Sequence, residues 1–123
     1  MISHTTLGTS DLTKAEAFYD EILIPIGGNK IYRSDSVIFW QFEKGGAKLA
    51  ITVPFDGKPA SNGNGTMVAF TVECISQVQA LYTKAMKLGS QCEGEPGKRN
   101  GGAFYGAYFR DLDGNKIAIY YRE

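Results

Sequence analysis

Residues 12–23 read LTKAEAFYDEIL, and residues 75–86 read ISQVQALYTKAM. In the first stretch Leu12, Ala15, Phe18, Tyr19, Ile22 and Leu23 recur three and four positions apart, which gathers them on one face of an α-helix. Moving 63 positions along the chain lands on Ile75, Val78, Leu81, Tyr82, Ala85 and Met86, apolar or aromatic at every place. One amphipathic helix is ordinary, but the same stripe repeated at a fixed offset implies a duplicated unit. The ends agree. Ser10 or Asp11 offers a capping oxygen at the first start, and Cys74 or Ser76 stands near the second. Gly27-Gly28 and Gly89 follow the two helices, where a left-handed residue closes the last turn.

Strand-like runs surround both helices. One precedes each, at 2–8 and 66–73, and three follow each, at 30–33, 37–42 and 48–53 and again at 91–93, 104–110 and 116–121. Lys48-Leu49-Ala50-Ile51 is matched in type by Lys116-Ile117-Ala118-Ile119. Each of these follows a glycine-containing hairpin turn, at 44–46 and 111–115. Asp111-Leu112-Asp113-Gly114 reads as that turn and lacks the spacing of a calcium loop. The order is βαβββ twice, an α+β fold. Residues 54–65, rich in Gly, Pro, Asn and Ser, read as a linker between module 1–53 and module 66–123 of a single domain, 1–123. Residues 94–102 read as a long loop placed to cover a site.

Composition narrows the partners. Lys plus Arg and Asp plus Glu both number 13, so the formal net charge is zero. That balance lacks the basic excess that nucleic acid or an anionic membrane would favour, and it is compatible with self-association as a homodimer. Two cysteines without a CxxC spacing suit free thiols in a reducing cytoplasm. The first residues enter patterned sequence with no leader-like segment, and no apolar run is long enough to span a bilayer.

Alternation along the strands sorts the faces. Val68, Phe70 and Val72 face a helix, as do Leu49, Ile51, Ile117 and Ile119. His4, Met67, Ala50 and Ala118 are left on the other side. Aligning the third strands through their turns pairs Trp40 with Tyr108 and assigns both to that side, with Phe104.

Several segments together resemble the vicinal oxygen chelate superfamily of glyoxalases, ring-cleaving dioxygenases, fosfomycin-resistance enzymes and bleomycin-resistance proteins. They are His4-Thr5-Thr6-Leu7-Gly8-Thr9-Ser10-Asp11-Leu12, Phe18-Tyr19, residues 63–70 (GNGTMVAF) and residues 105–117 (YGAYFRDLDGNKI). The resemblance spans essentially the whole chain. It implies two βαβββ modules forming a cupped mixed sheet with helices on the outer face, commonly as a dimer. Active members hold a divalent metal with ligands from the first and fourth strands of each module. Carried onto this chain, those places are His4, Ala50, Met67 and Ala118, and only His4 is a good ligand for such an ion. This chain is therefore expected to be a member lacking most metal ligands, with no metal cofactor.

The expected function is binding of a small planar or cationic organic molecule in an aromatic-lined pocket. His4, Trp40, Met67, Arg99, Phe104 and Tyr108 are the candidate ligand-binding residues. The aromatic rings offer flat faces, and Arg99 and Arg110 stand ready for an anionic group at the rim. The alternative is a metal-dependent lyase, isomerase or dioxygenase, for which Glu43, Glu73 or Gln41 would have to supply the missing donors through a register shift of one. If the chain is an enzyme, the resemblance implies a glyoxalase-like lyase.

Overall fold

Asp11 starts the first helix: its side chain accepts a hydrogen bond from the Lys14 amide at 3.1 Å. In the computed structural model, which describes residues 1–123, this helix, α1, runs Leu12–Leu23. A 3₁₀ turn, Ile24–Ile26, extends it and closes at Gly27, whose φ of 93° is open to glycine at no steric cost. The second helix, α2, runs Ile75–Lys87 from Cys74, whose side chain makes no capping bond. The Gln77 side chain instead accepts the Glu73 amide at 2.7 Å. Gly89 ends α2 with φ 102°.

Eight strands complete two compact units, residues 1–62 and 63–123. Unit 1 holds β1 (His4–Gly8), β2 (Asn29–Arg33), β3 (Val37–Gln41) and β4 (Lys48–Thr52) in the order β1-β4-β3-β2. Unit 2 holds β5 (Met67–Thr71), β6 (Gln91–Arg99), β7 (Phe104–Arg110) and β8 (Lys116–Tyr121) in the order β5-β8-β7-β6. In each, the first strand runs parallel to the fourth and the other pairs are antiparallel. The α+β class and the twice-repeated βαβββ order are as the periodicity predicts.

One helix covers one face of each sheet. In unit 1 Phe18, Tyr19, Ile22 and Leu23 of α1 are buried with Ile38, Trp40, Leu49 and Ile51. In unit 2 Val78, Leu81 and Ala85 of α2 are buried with Phe109, Ile117 and Ile119. The β7–β8 turn is fastened from within by Asp111. Its carboxylate accepts the amides of Asp113 and Asn115 and the Asn115 side-chain amide, each at 2.9 Å. Both carboxylate oxygens are thus engaged by the turn's own donors, which is the hairpin reading rather than the calcium one.

One expectation changes. Residues 94–99 are not loop: they belong to β6, which pairs irregularly with β7, with register shifts between Cys92 and Gly94 and between Gly94 and Gly97. Only Asn100–Gly102 turns, as a short 3₁₀ segment. Two glycines and a proline, Gly94, Gly97 and Pro96, masked a strand, because bulged pairing tolerates them while strand propensity does not. Between β4 and β5 the Ala60 amide donates to the Ser10 hydroxyl at 2.9 Å, within unit 1.

A bulge at Ile31 decides how β2 meets α1. Pairing shifts between Lys30 and Tyr32, so Lys30 and Arg33 share the helix side although they are three residues apart. Lys30 then bonds Glu16 and Asp20 at 2.8 Å, and Arg33 reaches Glu16 at 3.1 Å. The Lys30 ammonium and Arg33 guanidinium hold the Glu16 carboxyl below its usual range, and Asp20 and Glu16 hold the Lys30 ammonium above its own.

The sign of the pH dependence follows. Glu16 binds a proton less readily folded than unfolded, so its contribution is present above the ordinary carboxylate pKa of about 4.3 and is lost as pH falls through the depressed value. Lys30 contributes fully below about pH 10.4 and loses its share as pH rises through its raised value. Part-exposed pairs of this kind are worth about 0–1 kcal/mol each. Urea midpoints measured from pH 3 to 11 are expected to drop at both ends, and Glu16→Gln should flatten the acid limb. Identical acid limbs in the two proteins would refute the assignment.

Candidate functional site

The face of each sheet that carries no helix is where the sequence places its functional residues. On β1 and β4 of unit 1, His4 pairs with Lys48, and Thr6 with Ala50. Ala50 pairs in turn with Phe39 on β3. The His4 ring meets the Phe39 ring edge-on at 5.0 Å, and Tyr32 meets Phe39 at 6.3 Å. His4 is exposed, and its Nδ1 lies 3.0 Å from the Ser3 hydroxyl. The histidine therefore has an aromatic and a hydroxyl beside it rather than a carboxylate to drive acid–base work.

Trp40 is not on this face. It pairs with Leu49, is fully buried, donates its indole N–H to Asp20 at 2.9 Å and lies 5.9 Å from the Tyr19 ring. The expectation that it faces a ligand is corrected, and the reason is one residue of turn. Six residues, 42–47, join β3 to β4, whereas five, 111–115, join β7 to β8. Aligning through the turns slips the register by one and exchanges the faces. Phe39, opposite Ala50, is the true counterpart of Tyr108, opposite Ala118.

In unit 2 three of the predicted residues, Met67, Phe104 and Tyr108, line one hollow. Met67, Ala69, Phe104, Tyr108, Ala118, Tyr120 and Arg122 line a hollow of about 120 Å³. Its small residues are Ala69 and Ala118, which pair with each other, and Gly106 pairs with Tyr120 beside it. A Cβ on Gly106 would stand 3.2 Å from the Phe104 ring and 3.3 Å from Tyr120, so the glycine lets those rings, 5.6 Å apart, close one wall. Tyr108 forms the other wall. Arg99 lies over Tyr108, its guanidinium carbon 5.5 Å from the ring centre. Four of the six predicted residues (Met67, Arg99, Phe104 and Tyr108) are thus together, His4 sits on the helix-free face of unit 1, and Trp40 belongs to the core of that unit.

Sequence reasoning missed Tyr120, Lys116 and Arg122, which alternate along or just beyond β8 and share a face with Ala118. The same alternation that located Ala118 carries the signal for all three. The thiols lie elsewhere. Cys92 pairs with buried Phe109 on the helix side, where it bonds Tyr82 and pushes that phenol up to about 12. Cys74 precedes α2 beside the Ser76 hydroxyl, whose hydrogen bond lowers its thiol pKa.

A family model of the glyoxalase/bleomycin resistance protein/dioxygenase superfamily matches residues 1–119. The chain belongs to this superfamily. A glyoxalase/bleomycin resistance protein from Albidiferax ferrireducens T118 is 34% identical, with a TM-score of 0.90 over 100% of this chain and 99% of that one. A lactoylglutathione lyase from Agrobacterium tumefaciens is 21% identical, with a TM-score of 0.70 over 98% and 92% of the two chains. A fosfomycin resistance protein from Listeria monocytogenes is 22% identical, with a TM-score of 0.74 over 100% and 93%. These last two likenesses speak to fold alone. Among curated proteins none matches the chain significantly.

Superfamily membership raises the question of a divalent metal, and the donor set answers it. The implied positions carry one imidazole, two alanines and a thioether, and no three His, Cys, Asp or Glu residues cluster anywhere in the structure. A divalent ion asks for four or more hard or borderline donors, so these residues do not fit it. The proposed substitutes stand no nearer to the task. Gln41 donates to the Gly46 carbonyl, Glu43 lies in the β3–β4 turn, and the Glu73 amide is tied to Gln77 before α2. Equilibrium dialysis against Zn²⁺, Ni²⁺ and Mn²⁺ is expected to leave less than one tightly held ion per chain, unchanged by His4→Ala. Stoichiometric binding abolished by that substitution would overturn the reading of the donor set.

Proposed function

We propose that this superfamily member binds a small planar organic molecule on the helix-free face of unit 2, without a metal ion to anchor it. One observation carries the reading: the paired small residues Ala69 and Ala118 line the hollow together with three aromatic rings, Tyr108, Phe104 and Tyr120. A flat ring laid in that hollow would bury apolar surface against rings that accept stacked or edge-on contact. Met67, 44% exposed at the margin, adds a flexible side chain that adapts to a ligand's outline. The 34% identity to a glyoxalase/bleomycin resistance protein over the full chain supports a small-molecule role.

Chemistry at this face has few groups to run on. The lining residues include no His, Asp, Glu or Cys, only two phenols and an arginine. Binding without turnover is therefore the reading these side chains support best, with the glyoxalase-like lyase as the form any turnover would take. We further propose that the whole chain works as one glyoxalase-like domain, as a homodimer in a reducing cytoplasm. Zero net charge and two thiols outside any disulfide support this. No helix is long and apolar enough to cross a membrane. Light scattering that returned a mass of only 13.4 kDa would remove the dimer.

The binding reading has a direct test. Ala69 is exposed on β5, so Ala69→Leu fills the hollow while sparing the core. Planar aromatic compounds that shift amide signals of β7 and β8 should lose about tenfold or more in affinity in this variant, because the added side chain occupies their space. An unchanged thermal midpoint would show that the fold survived. Hits that bind the variant as tightly as the parent would rule the hollow out as their site.

A further inference from the structure

The face proposed above as a binding site carries a charge pattern that selects among ligands. Two cations already lie against Tyr108: the Arg99 guanidinium carbon and the Lys116 Nζ are each 5.5 Å from its ring centre. The Arg122 guanidinium carbon lies 5.9 Å from the centre of Phe104. The ring faces that would attract a cationic ligand are thus engaged by the protein's own cations, and a further positive charge would meet three like charges at close quarters. None of the three has a carboxylate within ion-pair distance. The acid on this side, Glu93, is bonded to Arg110 at 2.8 Å, and Lys116 feels it only from farther away.

Arg99 is also held in place in a way its neighbours are not. Its Nη2 donates to the Glu95 carbonyl at 2.6 Å and its Nη1 to the Lys98 carbonyl at 3.4 Å. Glycine underlies it at two positions of β6. A Cβ at Gly97 would come within 2.9 Å of Nη1, and one at Gly94 within 3.2 Å of Nη2 and 3.0 Å of the Tyr108 ring. The bulged strand and its two glycines make room for the guanidinium over Tyr108, with donors to spare. Fixing a long side chain beforehand removes an ordering cost from binding.

We infer that the ligand carries an oxyanion group beside its planar part, received by Arg99 with help from Lys116 and Arg122. This inference rests on the binding face proposed above. It turns the sequence expectation of a planar or cationic molecule toward a planar anion. Guanidinium and ammonium donors accept carboxylate and phosphate alike, so the shared oxyanion chemistry is what the face recognises.

Four flat probes of similar size separate the possibilities: benzoate, phenyl phosphate, benzamide and benzamidine, titrated into the full-length protein at low salt and followed by amide shifts. Benzoate or phenyl phosphate should bind about tenfold more tightly than benzamide, as a charge-assisted hydrogen bond exceeds a neutral one, and benzamidine should bind weakest. Whichever anion binds better names the oxyanion type. Arg99→Gln should shrink the preference for the anion over the amide. Gly97→Ala, which keeps every charge but pushes the guanidinium out of this position, should shrink it too while the thermal midpoint stays put. Benzamide binding as well as the anions, or benzamidine binding better, would overturn the charge inference and leave the binding face standing. If none of the four shifted a residue of the hollow, the binding face itself would fall with it.

Discussion

Each sheet has one helix to cover it and two faces to cover, and the side-chain alternation of the strands depends on that mismatch. The covered face collects Ile38, Trp40, Leu49 and Ile51 in unit 1 and Phe109, Ile117 and Ile119 in unit 2, all excluded from water. What stands on the bare face is relieved of core packing and is left to chemistry. A slip of one residue in any strand exchanges the two sets, so register is fixed strongly by the cost of exposing the apolar one. The site exists because the register holds.

The two units use the same plan for different ends. Both place an alanine of the fourth strand, Ala50 or Ala118, beside an aromatic of the third, Phe39 or Tyr108. In unit 1 the bulge at Ile31 turns Lys30 and Arg33 toward α1, where Glu16 and Asp20 neutralise them. In unit 2 the bulges of β6 leave Arg99 against Tyr108 on the helix-free face, with no acid to satisfy it. An irregularity in the edge of the sheet thus decides whether a cation pairs with the helix's acids or stays on the helix-free face. The positions that would hold a metal in this superfamily carry one imidazole, a thioether and two alanines, while cations and rings stand on the helix-free face of unit 2.

Much of this was legible in the chain. The 63-residue repeat gave both helices to the residue at their starts, and the matched KLAI and KIAI segments placed Ala50 and Ala118 on one face without coordinates. Coordination chemistry needs only residue identities, so the poverty of the ligand set was visible too. Trp40 and the β6 region were not. A tryptophan in a strand of alternating aromatics looks the same from either side until pairing is known, and glycines in a bulged strand look like loop.

The sequence by itself determined the periodic features: both helices and the strands outside β6, that the unit is duplicated, and which donors are missing. These follow from local spacing, and local spacing is written in the order of residues. Only the tertiary structure decided which cations meet which rings, that Trp40 is held by Asp20, and that Gly94 and Gly97 make room for Arg99. Those contacts join residues on different strands or turn on a single residue of hairpin length, and pairing across strands is fixed by the packing of the whole sheet rather than by any stretch of it.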